Sequence, residues 1–442
     1  MTRVSRQSLL LLGFISFQQP SVATQTSKVT LEEAKTFAIA NNFEVIALRR
    51  EVEEMQAKAR RARSPFYPKL GLAGGADTQM KGNGNEGAAV GYLYGSYNLF
   101  SGFEDTYKAD IANYEVEKAE IRLRKAELGV GLEVERLFHL YLFNKFSLEL
   151  LKRALDANEL HRKMAKNRKA SGLASDADVI EFDLRDSILK SDVSEKEVQL
   201  EESRVNLKRL LGEEIGAKIE PVGKLQHQHI KGSLMDYISR IKGESENVLV
   251  TTRELLIATT ESKMWRSKWF PKVDFEMKAG FLPLENRPDS TSGTGKETSA
   301  LINGLVIAKL DLFSGFDNFW ERRESESKRL KLESRLKQFI LAAVTQMEIA
   351  YRKLKATEVR VHLEEQNEER ATKYYNSVLS EYKRGVKNSS DLKNAAEGLY
   401  NSTLRSEGFK YDFLSQRIEL EKALGGPVSV EVLPDRSKVG HE

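Results

Sequence analysis

The 442-residue sequence contains no cysteine and only nine prolines, and its charges nearly cancel. Without cysteine the chain can form no disulfide, no thiolate metal site and no lipid attachment through a cysteine. With 69 basic against 65 acidic residues, it lacks the clustered basic excess that is typical of nucleic-acid-binding proteins. We therefore expect no nucleic-acid partner, and we interpret the charges as solvating long helical faces.

Long hydrophobic runs are also missing. The longest apolar stretch, residues 9–17, follows Arg3 and Arg6 and precedes the small residues Ser21–Ala23. This arrangement predicts a secretory signal peptide over residues 1–23, because the run is shorter than the roughly 20 apolar residues of a membrane-spanning helix. No later stretch reaches that length, so we expect strands to carry any insertion into a membrane.

Residues suited to catalysis or metal binding are scattered. The six histidines stand mostly alone in charged tracts, and only His227 and His229 are close together. The sequence has no phosphate-binding glycine-rich loop and no nucleophile elbow in a plausible context. We therefore predict no catalytic residue, no metal site and no cofactor, and a protein that is not an enzyme.

Proline spacing predicts long helices. The stretches 69–220 and 289–426 contain no proline and are rich in Glu, Lys, Leu, Ala and Arg, which favours uninterrupted helix. Three helices are predicted in each half of the chain: 31–64, 102–168 and 177–211, then 234–267, 315–381 and 390–424. At 1.5 Å per residue each long helix would extend about 100 Å, and each short one about 50 Å.

An internal repeat fixes the predicted organisation. The segment Leu99–Phe103 returns unchanged at Leu312–Phe316, an offset of 213 that further residues share, whereas residues upstream of the strands repeat at an offset of 203. The predicted parts are the signal peptide, a first repeat at 29–212, a linker at 213–232, a second repeat at 233–425 and a C-terminal tail at 426–442. We call the linker equatorial, because we expect it to lie at mid-height of the long helices.

Each repeat also contains a segment with alternating polarity, at 69–100 and at 272–313. These segments predict β-hairpins with polar loops at 80–87 and 285–297. Apolar residues occupy one face of each strand and polar residues the other, as in a water-filled membrane barrel. Since four strands cannot close a barrel, this interpretation requires two, three or four copies of the chain.

Aromatic residues stand where helix meets strand in each repeat, namely Phe66, Tyr67, Trp269 and Phe270. Aromatic side chains with a polar edge favour the boundary between membrane and water, so we predict that these four lie there. The alternative is an aromatic cluster that fills a soluble junction between helix and sheet.

The order and spacing of these motifs resemble the TolC family of outer-membrane channels, the outer-membrane efflux proteins. The resemblance rests on the Phe-Tyr-Pro-Lys and Trp-Phe-Pro-Lys junctions, on the two Leu-Phe-Ser-Gly strand exits and on two glycine-centred turns. It implies an α+β membrane protein, in which three protomers share a twelve-stranded transmembrane β-barrel and a coiled-coil α-helical barrel that crosses the periplasm. It also implies two partners, a periplasmic adaptor and an inner-membrane transporter.

The two glycine-centred turns follow the long helices, at Gly172–Leu173 and at Gly385–Val386. Glycine there supplies the left-handed conformation that ends a helix. The resemblance implies in addition that these turns contact the adaptor. It also implies a periplasmic gate formed by Tyr382, Lys387 and Asp391, with Asn394 where the family has a second Asp. Asp176 and Asp178 near the first turn could add compensating negative charge, and the ordinary alternative is that Asp176 caps the next helix.

The sequence thus predicts a passive, gated exit duct in the outer membrane. Drug efflux is the expected role, and type I protein secretion is the next. Two alternatives remain open at this point. One is a periplasmic coiled-coil scaffold without a pore, and the other is an ungated porin.

Overall fold

The computed structural model describes residues 27–81, 84–211, 219–226, 228–283 and 298–432. The predicted signal peptide, the predicted loop at 285–297 and the end of the C-terminal tail lie outside these residues. Eight α-helices and eight β-strands follow one another in the described parts of the chain.

The helices form two series of nearly the same lengths. They are α1 Leu31–Asn41, α2 Phe43–Ala62, α3 Glu104–Ala170, α4 Asp176–Leu211, α5 Leu234–Glu244, α6 Glu246–Met264, α7 Asp317–Lys383 and α8 Ser389–Leu424. The long helices α3 and α7 both contain 67 residues, and both α4 and α8 contain 36. Helices α3 and α4 pack side by side, as do α7 and α8. None of the helices in the described part of the chain is long and apolar enough to cross a membrane.

The first short helix of each half is broken, which corrects the continuous helices predicted at 31–64 and 234–267. Asn42 separates α1 from α2, and Ser245 separates α5 from α6, each with an extended backbone. The Asn42 side chain accepts hydrogen bonds from the backbone N–H groups of Glu44 and Val45. A side chain that caps a new helix start competes with continuation of the old helix, which explains the break at Asn42. The Ser245 side chain makes no such capping hydrogen bond.

Four strands form one antiparallel sheet in the order β2, β3, β6, β7. Their ranges are β2 Lys69–Lys81, β3 Gly84–Phe100, β6 Lys272–Pro283 and β7 Thr298–Lys309. Lys69 pairs with Ser96 and Lys272 with Lys309, so the two hairpins have equivalent registers. The first hairpin is tighter than predicted, because ladder pairing reaches Lys81 and Gly84 inside the expected loop at 80–87.

Four short strands lie far from this sheet, in segments for which no strand was predicted. They are β1 Ser27–Val29, β4 Ile219–Pro221, β5 Gln228–Ile230 and β8 Val430–Val432. β1 pairs with β4 in parallel and β5 pairs with β8 in antiparallel orientation. They therefore tie the predicted linker to both ends of the described chain, at the level where α1 meets α4 and where the largest core cluster lies.

Candidate functional site

The sheet has one apolar face and one polar face. The ladder places Leu72 opposite Leu93, Tyr97 opposite Phe275, and Phe275 opposite Val306, so all four strands present apolar side chains on the same side. Asp274, Glu276 and Lys278 alternate with them and lie on the other side. Leu72 is 84% exposed in the single chain. The arrangement thus offers an unpartnered apolar surface backed by a charged one.

Both long helices begin after a Gly-Phe pair in the left-handed conformation. Phe103 and Phe316 are the described non-glycine residues with positive φ, 68° and 67°. Phe103 packs edge-on against Phe100 and against Phe270 of the second half, with ring centroids 5.4 and 6.1 Å away. These contacts hold the unusual backbone at the end of β3 and join the two halves of the chain.

The far ends of the long helices end in matching turns. Leu173 donates its N–H to the carbonyl of Arg168, and Val386 donates to that of Glu381. Gly172 and Gly385 adopt φ values of 72° and 85°. Each turn is therefore a Schellman motif, which requires a left-handed residue that glycine adopts without steric cost. Leu173 and Val386 are exposed at the two tips.

Arg168 connects these two tips. Its guanidinium donates to the backbone carbonyl of Tyr382 at 2.8 Å, to that of Lys387 at 3.3 Å and to that of Leu173 at 3.4 Å. Its Cζ also lies 4.5 Å from the centre of the Tyr382 ring. A planar guanidinium suits this role, since it donates in several directions while stacking on an aromatic face.

Tyr382 is buried at the centre of the tips. Its hydroxyl lies 3.3 Å from the hydroxyl of Ser389, which also hydrogen-bonds with Asp178. The backbone N–H of Ser175 lowers the pKa of Asp178 most, and the Ser389 hydroxyl lowers it further. Either hydroxyl can donate in the contact between Tyr382 and Ser389, whereas the Asp178 carboxylate only accepts.

Ser175, not Asp176, caps α4, which corrects the prediction for Asp176. The Ser175 hydroxyl accepts from the backbone N–H of Asp178, and the Asp178 carboxylate accepts from the Ser175 backbone N–H at 2.8 Å. This reciprocal pair is a capping box. Asp176 contacts Lys169 of α3 instead.

The remaining predicted gate residues lie at the start of α8. Asp391 forms a capping box with Asn388, whose side chain accepts from the Asp391 backbone N–H at 2.8 Å. Lys387 approaches the Asp391 carboxylate at 3.9 Å, a half-exposed and weak ion pair. Asn394 is exposed one turn further along α8. The structure thus brings Lys387 to Asp391, and Tyr382 to Asp178 through Ser389.

A known protein family matches most of this chain. The sequence profile described as outer membrane efflux protein matches residues 37–213 and 238–426, which is most of the chain. The chain belongs to the outer membrane efflux protein family. It is an outer-membrane protein of a family of transport channels, and this family is not an enzyme class. No curated protein matches the sequence.

Solved structures share the fold. The outer membrane protein VceC from Vibrio cholerae is 16% identical with a TM-score of 0.73, over 90% of this chain and 96% of that one. The CmeC outer membrane channel of Campylobacter jejuni is 15% identical with a TM-score of 0.74, over 99% and 96% of the two chains. The MtrE outer membrane channel of Neisseria gonorrhoeae is 16% identical with a TM-score of 0.71, over 90% and 89%.

In this outer membrane efflux protein, the four boundary aromatics occupy different surroundings. Phe270 packs against Phe100 and Phe103, whereas Tyr67 and Trp269 are each 67% exposed. Phe66 is also exposed, at the end of a short 3-10 helix before β2. Each of the two pairs thus stands where a short 3-10 helix meets a strand.

Two buried polar groups stabilise the helical part of the outer membrane efflux protein. Behind the tips, the imidazole of His161 lies 2.9 Å from the Tyr375 hydroxyl, and burial lowers the pKa of His161 to about 4. At mid-height, Glu135 is buried between Lys35 and Arg417. Both groups connect helices from different halves of the chain.

Sequence reasoning missed Arg168 and Ser389. Arg168 binds backbone carbonyls, and any residue supplies a carbonyl, so its partners leave no pattern in the sequence. The available signal was a difference between the repeats, because the position equivalent to Arg168 in the second repeat is Glu381.

Proposed function

We propose that three copies of this chain form a passive exit duct from the periplasm across the outer membrane. The four-stranded sheets together form a twelve-stranded barrel, and the helices continue it as a periplasmic tunnel. The two repeats arose by duplication and occupy equivalent places in the ring. The observation that carries this proposal is the sheet, which has an apolar face and two strands, β2 and β7, at its edges.

Edge strands in lipid would leave backbone groups without hydrogen bonds, which is prohibitively costly. We take the pairing of β3 with β6 within the chain as the model for the pairing of β7 with β2 of the next copy. β7 is the repeat equivalent of β3, and β2 is the equivalent of β6. Since Ser96 pairs with Glu276, Lys309 is expected to pair with Ala73 of the next copy. The strands then alternate in direction around the whole ring.

Other contacts between the halves support the same pairing. Lys272 lies 2.6 Å from Glu104, and the repeat equivalents are Lys69 and Asp317, which carry matching charges. Likewise the aromatic group of Phe100, Phe103 and Phe270 has as its equivalents Phe313, Phe316 and Tyr67. Phe313 and Phe316 pack on each other but are 74% and 66% exposed. Tyr67 of a neighbouring copy completes this group.

The boundary aromatics Phe66, Tyr67, Trp269 and Phe270 then encircle the duct at the edge of the membrane. The two tips form its periplasmic mouth, and Gly172, Leu173, Gly385 and Val386 contact the periplasmic adaptor. Arg168 and Tyr382 hold the mouth in its resting form together with Lys387. A ring of three Asp391 carboxylates attracts cations, and Asn394 leaves it as a single anionic ring.

The energy for transport comes from an inner-membrane transporter that engages the duct through the adaptor. Drug efflux is the first expected role and type I protein secretion the second. The duct itself supplies a solvated path whose aperture changes when the tip helices move apart.

The absence of natural cysteine permits a direct test of assembly. We expect the double variant Ala73→Cys/Lys309→Cys to yield disulfide-linked trimers in isolated outer membranes, visible on a non-reducing denaturing gel. Each single-cysteine variant is the control and should run as a monomer. A soluble monomeric product from the double variant would instead favour a periplasmic scaffold without a pore.

A further inference from the structure

The largest regular apolar stripe near the tips lies on α4. Ile180, Leu184 and Ile188 are spaced four residues apart and therefore share one helix face. Ile180 and Leu184 are each 63% exposed. Contiguous apolar side chains on a helix in water mark a surface that another surface covers.

The equivalent positions on α8 are polar. They are Lys393, Glu397 and Asn401, each 213 residues after its counterpart on α4. Lys393 lies 2.8 Å from Glu181, and Glu397 lies 3.3 Å from Arg185. These two ion pairs join α8 to α4 within one chain, and we call this contact the intrachain tip interface.

Within the chain, the second repeat packs on the first, and α8 packs on α4. In the proposed ring, the first repeat of a neighbouring copy packs on the second repeat in the same way. The neighbour's Ile180 and Leu184 then take the positions that Lys393 and Glu397 have within the chain. The residues facing them are then the equivalents of Glu181 and Arg185, namely Asn394 and Gly398. This contact is the intercopy tip interface.

We infer that the α4 stripe of one copy docks on α7 and α8 of the next, with Ile180 against Asn394 and Leu184 against Gly398. This inference rests on the proposed trimer and specifies how its tips meet. The receiving surface carries no charge at these two positions. Gly398 leaves room for a side chain, because a Cβ built there would meet no atom within 4 Å. Leu363 and Tyr374 are exposed on α7. They are the repeat equivalents of Leu150 and His161, which line a groove together with Lys393 and Glu397 within the chain.

The mouth then contains two kinds of interface in alternation. Three intrachain interfaces combine ion pairs, which salt screens, with a buried apolar cluster around Phe182 and Tyr382. Three intercopy interfaces have the apolar α4 stripe in place of those ion pairs, so salt is not expected to weaken them.

Paired cysteines and a short bifunctional thiol reagent test this arrangement in isolated outer membranes. We expect Leu184→Cys/Gly398→Cys to give cross-linked dimers and trimers. The matched control is Arg185→Cys/Glu397→Cys, in which each cysteine lies one residue away on the same helix. We expect its cross-link to stay within one chain and to give a monomer band.

The barrel pair Ala73→Cys/Lys309→Cys distinguishes the two proposals. Trimers from the barrel pair, combined with no intercopy product from Leu184→Cys/Gly398→Cys, would overturn the tip inference alone. Failure of the barrel pair to link copies would overturn the trimer itself. Cross-linking of Leu184→Cys to a different protein in place of a second copy would also contradict the inference, since the stripe would then belong to another partner.

Discussion

Arg168 is the residue that joins the two tips most directly. It joins the end of α3 to three backbone carbonyls and to the ring of Tyr382, so one side chain couples both helical turns. A hydrogen bond from a charged donor contributes about 1.5–3 kcal/mol when it is protected from water. Removing this side chain should therefore free the two tips to separate.

We predict that Arg168→Ala raises the conductance of the reconstituted channel and its leakiness to large antibiotics in cells. Partial exposure reduces the loss to about 2 kcal/mol, which corresponds to roughly a thirtyfold shift toward open tips. Arg153→Ala, at an exposed position on the same helix, is the control and should behave as wild type. Unchanged conductance in Arg168→Ala would contradict a role in closing the mouth.

His161 makes the helical part sensitive to acid. Burial lowers its pKa to about 4, below the ordinary value of about 6.5. Between pH 6.5 and pH 4, His161 binds a proton in the unfolded chain but stays neutral in the folded chain. The free energy of unfolding therefore falls as the pH falls from 6.5 to 4. The full stability is present above pH 6.5.

We predict that His161→Gln flattens this dependence by about 1 kcal/mol per pH unit. The measurement is the thermal unfolding midpoint of the purified protein at several pH values from 4 to 7. His362→Gln, which changes an exposed histidine, should keep the wild-type slope. Equal slopes for all three proteins would show that His161 does not carry the acid sensitivity.

At the scale of elements, the tips depend on glycine for their backbone conformation. Gly385 has φ of 85°, where a Cβ costs about 1 kcal/mol even though the space around it is open. Gly129, inside α3, lies in open space without positive φ. The two positions thus separate the effect of conformation from the effect of added volume.

We predict that Gly385→Ala loosens the turn and reduces transport, while trimers form normally. Limited proteolysis should cut at residues 384–388 faster than in wild type, and cellular accumulation of a transported drug should rise. Gly129→Ala should match or exceed wild-type stability, because alanine favours helix. Wild-type proteolysis and transport in Gly385→Ala would argue against a functional role for this turn.

The long helices and both hairpins were predictable because their patterns are local. Proline-free tracts indicated α3 and α7 to within two residues at each end. The break at Asn42 was not predicted, because a single capping residue inside a periodic tract resembles an ordinary surface residue. The break at Ser245 was not predicted either, and its side chain makes no capping hydrogen bond. The pairing of β5 with β8 joins three-residue segments about 200 positions apart. No local sequence pattern predicts such a contact.

At the scale of the whole molecule, the repeat explains more than any single motif. It relates contacts inside one chain to contacts between copies, and it thereby predicts where the copies meet. What distinguishes the repeats is equally informative. Arg168 has Glu381 as its counterpart, and the apolar stripe on α4 has polar counterparts on α8. We therefore propose that the tip functions lie where the two repeats differ.

The central claim is that three copies enclose a water-filled path across the outer membrane. The most direct test is the conductance of detergent-extracted trimers in a planar lipid bilayer. We predict discrete single-channel steps that are small in the wild-type protein, because we propose that its tips are closed at rest. Large steps in wild type would favour an ungated porin. Trimers that insert into the bilayer but carry no current would contradict the account.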